Sequence, residues 1–294
     1  MKKIVLLFLL LSTSSFKLSA NSNLSQKYFI LDENSNSYQF HTIKLSNKGK
    51  QIELYNLLYD QSNLILFSVL PVKGDMMWSE IEVSKIKGQI IDFPVLKQIF
   101  SEAFNSYQKS NFYDCDFIKR QDISLVINKN GKFFVSSFCL SEYFSIVTQS
   151  LVFPNLMANA IINISSPTIA VKDFESKYYN AYGHYSPNAI TERSSTGTTN
   201  LLRPLEKPLL FRSEEIEIFG FKAYKFWQFT DWHINHGINY YRGIDRFLFV
   251  PNIGIVAGSF DAFLSKNSAD TMKAYLEEIL ILPSDKDKIK SKVE

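Results

Sequence analysis

Apolar alternation and turn residues organise this chain more clearly than any motif does. Three stretches, "LSNKGKQIEL", "VINKNGKFFV" and "FVPNIGIVAG", set a turn rich in Asn and Gly between strand-like runs, and each predicts a β-hairpin. The second also predicts a register. With Asn130-Gly131 as the two-residue turn, Ile127 faces Phe134, Leu125 faces Ser136 and Ile123 faces Phe138. Ile123, Leu125, Ile127, Phe134 and Phe138 then share one core face, and Cys139 falls opposite Asp122.

The period changes in two places. Leu96, Ile99, Phe100, Ala103, Phe104 and Tyr107 recur at helical spacing in "DFPVLKQIFSEAFNSYQKS", with Pro94 tolerated near the start. Met272, Tyr275, Leu276 and Ile279 repeat the pattern after "KNS", and Pro283 ends it. The predicted fold class is therefore α+β: two antiparallel sheets with amphipathic helices packed on them. The texture between the hairpin-rich halves is polar and rich in Pro, which puts a boundary between Pro154 and Pro167. The expected organisation is a leader at 1–20, an N-terminal domain at 21–160, a C-terminal domain at 161–285 and a charged tail at 286–294.

The leader changes the charge. "MKKIVLLFLLLSTSSFKLSA" has two lysines, an apolar run from Ile4 to Leu11 and a small-residue end near Ala20, the signature of a cleavable secretory signal. Its apolar run is much shorter than the roughly 20 residues needed to span a bilayer. The leader holds three of the 32 basic residues (Lys2, Lys3 and Lys17), so 29 basic residues remain against 29 acidic. The predicted mature chain is neutral, periplasmic or extracellular, has no further membrane segment, and its net charge gives no support for nucleic-acid binding, leaving only a local basic patch open. In that compartment Cys115 and Cys139, the two cysteines, predict a disulfide in the N-terminal domain, worth about 3 kcal/mol through chain entropy.

Candidate chemistry centres on "FTDWHINHG", Phe229 to Gly237. Asp231, His233 and His236 could ligate a metal with His184 as a fourth ligand, or serve an exported hydrolase, but strand-like runs on both sides make the stretch a hairpin tip. A tip can bend both imidazoles toward one point, but the H-x-x-H spacing does not enforce it, and neither a metal nor another cofactor is predicted. Trp232, with Tyr241 and Arg242 beside it, carries the residue types that dominate protein-interface hot spots; the alternative is that Trp232 folds back onto the sheet. Tyr178, Tyr179, Tyr182 and Tyr185 in "SKYYNAYGHYSPN" suit a contact surface, although 25 Phe, 15 Tyr and 3 Trp make aromatics common throughout.

Enzyme signatures are sparse. G-x-S-x-G, H-E-x-x-H and the P-loop pattern do not occur, and the S-x-x-K at Ser106 to Lys109 sits in the predicted helix without a K-T-G partner. The acidic pairs Asp114 and Asp116, and Glu214 and Glu215, read equally well as solvated faces. The expected function is non-enzymatic binding of a protein partner, of the inhibitor or immunity type. The alternatives are an exported hydrolase built on Asp231, His233 and His236, and a cell-envelope assembly factor.

Overall fold

The computed structural model of the chain describes residues 25–47, 49–72, 76–109, 119–148, 160–174, 176, 209–229, 246–260, 277–283 and 289–290. Its strands are β1 (Lys27–Ile30), β2 (Gln39–Asn47), β3 (Lys50–Tyr59), β4 (Asn63–Val69), β5 (Trp78–Glu80), β6 (Ile90–Ile91), β7 (Lys119–Arg120) and β8 (Ile123–Lys129). They continue with β9 (Lys132–Ser136), β10 (Cys139–Val147), β11 (Ile161–Asn163), β12 (Leu209–Ile218), β13 (Phe221–Phe229), β14 (Arg246–Val250), β15 (Gly254–Gly258) and β16 (Ile289–Lys290). The α-helices whose bounds are described are a single turn, α1 (Val83–Ile86), and α2 (Phe93–Lys109), with 3-10 turns at Lys87–Gln89 and Val171–Asp173.

The strands form three sheets. A first sheet runs β5-β9-β8-β1-β6, a central sheet β11-β10-β4-β3-β2-β16 with β7 also on β10, and a third sheet β12-β13-β14-β15. The middle of the central sheet is apolar on both faces because β3, β4 and β10 are apolar at both parities. Tyr55, Leu57, Ile65, Phe67, Val69 and Tyr143 pack with Phe29, Ile123 and Leu125 of the first sheet and with Leu96, Phe100 and Ala103 of α2. Leu54, Leu64, Leu66, Leu140 and Phe144 pack on the opposite side with Phe226, Phe247, Phe249 and Ile255 of the third sheet. Runs such as "NLILFSV" in β4, buried from its second residue onward, are what a strand covered on both faces looks like.

This corrects the α+β expectation. Among the described residues the fold is mostly β, 55% strand against 16% helix, in three sheets rich in antiparallel pairs. Among the described residues, sheets cover the central sheet on both sides, and α2 adds to the first face. The first predicted helix is present as α2, where the Asp92 carboxylate accepts the Val95 N–H at 3.0 Å and so satisfies a free donor of the first turn. Residues 261–276 of the second lie outside the described residues; Ile279, beyond them, is out of any helix and 48% exposed. Among the described residues no helix is long and apolar enough to cross a membrane.

The three predicted hairpins form. Leu45 faces Ile52 in β2–β3, Val250 faces Gly254 in β14–β15, and Ile127 faces Phe134 in β8–β9, whose turn residues Asn130 and Gly131 both have positive φ (54° and 82°). The last hairpin departs from its predicted register beyond Ser136. There the chain crosses to the central sheet, so Cys139 pairs with Val69 instead of lying opposite Asp122, and Phe138 packs on the far core. A further hairpin, β12–β13, turns on Phe219 and Gly220 inside a stretch that reads as one continuous strand. Both β11 and β16, drawn from beyond residue 160, are strands of the central sheet.

Candidate functional site

Asp231, Trp232, His233, His236, Tyr241 and Arg242 lie outside the described residues, as do Tyr178, Tyr179, Tyr182, Tyr185, His184 and Cys115. The strands at the root of the opening motif are described. β13 and β14 are antiparallel neighbours with Trp227 opposite Arg246, so residues 230–245 connect two strands that already lie side by side.

That root is fixed from both sides. On one face Trp227 stacks on Phe211 at 4.8 Å between ring centroids, Phe174 closes edge-on at 5.7 Å, and the indole N–H donates to the Ile169 carbonyl at 2.7 Å. On the other face Phe226 stacks on Phe247, which meets Phe144 of the central sheet at 5.4 Å. Arg246 is fully buried. Gln228, two residues before the connection, accepts a hydrogen bond from Lys119 Nζ at 3.2 Å, and the same ammonium pairs with Glu142 at 3.1 Å. Glu142 and Lys119 face each other across β10 and β7, with side chains 1% and 9% exposed. A charge pair so far from water is costly to desolvate, and its strength comes from geometry that leaves each charge bonded.

A second polar cluster lies between the first and central sheets. The buried Glu53 carboxylate accepts from the Tyr55 hydroxyl at 2.8 Å and from the Trp78 indole at 3.0 Å, and Lys44 stands 3.5 Å away. Burial, and then the charge of Glu53, hold the Tyr55 hydroxyl well above the usual phenol range. Cys139 lies in the same row, since Val69 is the register partner of both Glu53 and Cys139. Donors engage Glu53, and burial pushes the Cys139 thiol from 9.0 up to about 12, so neither is set up as a base or a nucleophile. His41, the fourth histidine, is buried in β2 opposite Asn56. Among the described residues no group of three or more His, Cys, Asp or Glu is placed to hold a metal ion.

Cys139 is a free, buried thiol, and its expected partner Cys115 lies outside the described residues. In the reduced chain this thiol gives a pH signature. A folded pKa raised above the unfolded one contributes stability that is complete below the unfolded value and is lost as pH climbs toward the folded value. Stability should therefore fall between about pH 9 and 12, with the raised pKa of Tyr59 adding to the loss above pH 10. Urea unfolding from pH 8 to 10.5 should show Cys139→Ala flattening that slope by up to about 1.4 kcal/mol per pH unit; an unchanged slope would refute the assignment.

Asn56, Lys119, Glu142, Gln228, Glu53 and Trp78 are structural polar residues that motif reading passes over. Their local signal is a polar residue inside an apolar strand, as in "ELYNLLY" or "CLSEYF". In comparisons with protein-family models, curated proteins and solved structures, nothing matches this chain.

Proposed function

We propose that this chain is an exported, non-enzymatic binding protein that acts in the periplasm or outside the cell. It recognises a protein partner through the connection between β13 and β14, with Trp232 as anchor and Tyr241 and Arg242 beside it. The tyrosines at 178, 179, 182 and 185 add contact area, and the finer reading is an inhibitor or immunity protein that blocks a partner enzyme. One observation carries the reading: both roots of residues 230–245 are locked into a packed sheet, with Trp227 and Arg246 fully buried and in register. A segment presented from a rigid base loses less conformational freedom on binding.

The test uses the immobilised mature chain and the exported proteins of the cell that makes it. Trp232→Ala should weaken capture of the partner by about 30-fold, corresponding to a hot spot of about 2 kcal/mol, with the melting temperature unchanged. Undiminished capture would sink the assignment of the anchor. Activity that disappears in the His233→Ala/His236→Ala double variant, together with metal found in the purified protein, would replace the proposal with the exported hydrolase.

A further inference from the structure

In the Glu53 cluster the Tyr55 hydroxyl and the Trp78 indole N–H donate to the same carboxylate oxygen, Oε2, and the two rings meet edge-on with centroids 5.9 Å apart. Tyr55 and Glu53 are buried. Trp78 is half-buried on the edge strand β5 and has the Lys129 ammonium 5.5 Å from its ring centroid. An indole that reaches the surface thus touches a buried phenol, and both share one proton acceptor.

The other buried tyrosines are built differently. The Tyr59 hydroxyl has no hydrogen-bond partner, Tyr143 donates to the Asn63 amide oxygen, Tyr38 donates to the Asp32 carbonyl, and Tyr224 has the cations of Arg212 and Lys222 against its ring. Amide and carbonyl oxygens accept a hydrogen bond but do not take up the proton, whereas a carboxylate does both. Of the buried tyrosines among the described residues, Tyr55 is the one whose hydroxyl meets a carboxylate.

This arrangement matters when an electron is lost. Oxidation puts a positive charge on a phenol or an indole, a charge that a dry interior tolerates poorly and that proton release removes. Its donors close the Glu53 carboxylate to an outside substrate, but a donor that has lost an electron can pass its proton along the bond it already makes. Tyr55 can do so over 2.8 Å, a distance suited to direct transfer. Lys129 sets the direction: a cation over the indole favours the neutral ring and opposes positive charge on Trp78, whereas Tyr55 after proton loss is neutral.

We propose that Trp78, Tyr55 and Glu53 form a site of one-electron oxidation whose substrate is a peroxide-derived radical. The radical takes one electron from Trp78 and is reduced. Tyr55 returns one electron to Trp78, its O–H bond breaks, and the proton moves to Glu53 Oε2. The products are the reduced oxidant, a neutral Tyr55 phenoxyl radical and a protonated Glu53, so one electron leaves the cluster and no proton does. An oxidising equivalent that lands on the surface is thereby held in the interior, away from other chains.

The experiment uses the mature chain with photogenerated tris(bipyridine)ruthenium(III) as the one-electron oxidant. Electron paramagnetic resonance of samples frozen after the flash identifies the radical, and transient absorption in ordinary and heavy water times its formation. The parent should give a long-lived tyrosyl radical that forms more slowly in heavy water. Tyr55→Phe should lose it, while Tyr59→Phe and Tyr143→Phe keep it. Glu53→Gln should abolish it by removing the proton acceptor, with Glu53→Asp restoring part of the signal, a rescue that packing alone does not produce. A long-lived tyrosyl signal of parental size in Tyr55→Phe would overturn the proposal, as would its absence from the parent. Should Tyr55→Phe fail to fold, Lys129→Gln, at an exposed position, decides: removing the cation over Trp78 should raise the tryptophanyl share of the signal, and an unchanged share overturns the proposal.

Discussion

Gly254→Ala should destabilise the protein by about 2–5 kcal/mol, combining the cost of overpacking with that of a left-handed backbone. Gly254 has φ +102°, and a Cβ built there would lie 2.6 Å from Asn56 Cγ and 2.8 Å from Asn56 Cβ. Asn56 cannot easily withdraw, because its amide behaves like a piece of strand. Its Nδ2 donates to the Ile255 carbonyl at 2.9 Å, and its Oδ1 accepts the Ile255 N–H at 2.7 Å. One side chain of β3 thereby bonds the edge strand of the third sheet to the central sheet. Asn56→Ala alone should cost about 1–3 kcal/mol, since it strips partners from two buried backbone groups. The double variant should cost less than the sum, because removing the amide takes away the clashes with Asn56 Oδ1 and Cγ and leaves only the 2.8 Å approach to Cβ. Urea unfolding of the four proteins measures the coupling, and strict additivity would mean that the two residues do not meet.

The second large effect is expected at Lys119. Lys119→Met breaks the 3.1 Å pair with Glu142 and the 3.2 Å bond to Gln228, at a cost of about 3–5 kcal/mol for splitting a buried pair. Replacing both partners, as Lys119→Met/Glu142→Leu, should recover most of that loss, because no separated charge is left in the interior. A double variant as unstable as the single one would show that the pair is irreplaceable. Comparing melting temperatures at fixed pH is sufficient.

Legibility from the sequence follows the range of each interaction. The β8–β9 hairpin was legible down to the pairing of Ile127 with Phe134, since Asn130-Gly131 encodes its turn within two residues. Helix α2 was legible for the same reason, through its 3.6-residue spacing. The β12–β13 turn escaped because Phe219 is a bulky residue at φ 50°, where chemistry favours Gly or Asn. The crossing from β9 to β10 escaped because only the tertiary partner Val69 draws Cys139 away from β8. The α+β expectation fails because alternation marks a strand with one covered face, whereas an apolar run such as that of β4 belongs to a strand covered on both. Of the polar residues that matter, Asn56 reaches Ile255 across 199 positions, a separation at which no local spacing speaks.

The double cover of the central sheet has a temporal side. Among the described residues the core on its first face is assembled from residues 29 to 160, whereas the covering layer on the second face comes from residues 210 to 260, with Leu280 and Ile281 beside it. A chain synthesised from its N terminus can therefore complete one face while Leu54, Leu64, Leu66 and Phe144 of the other remain bare. Only when β15 meets Asn56 and the final residues reach β2 do that face and that edge leave water. Such long-range closure folds slowly, and the half-made protein is the form in which this sequence is most exposed to aggregation and proteolysis.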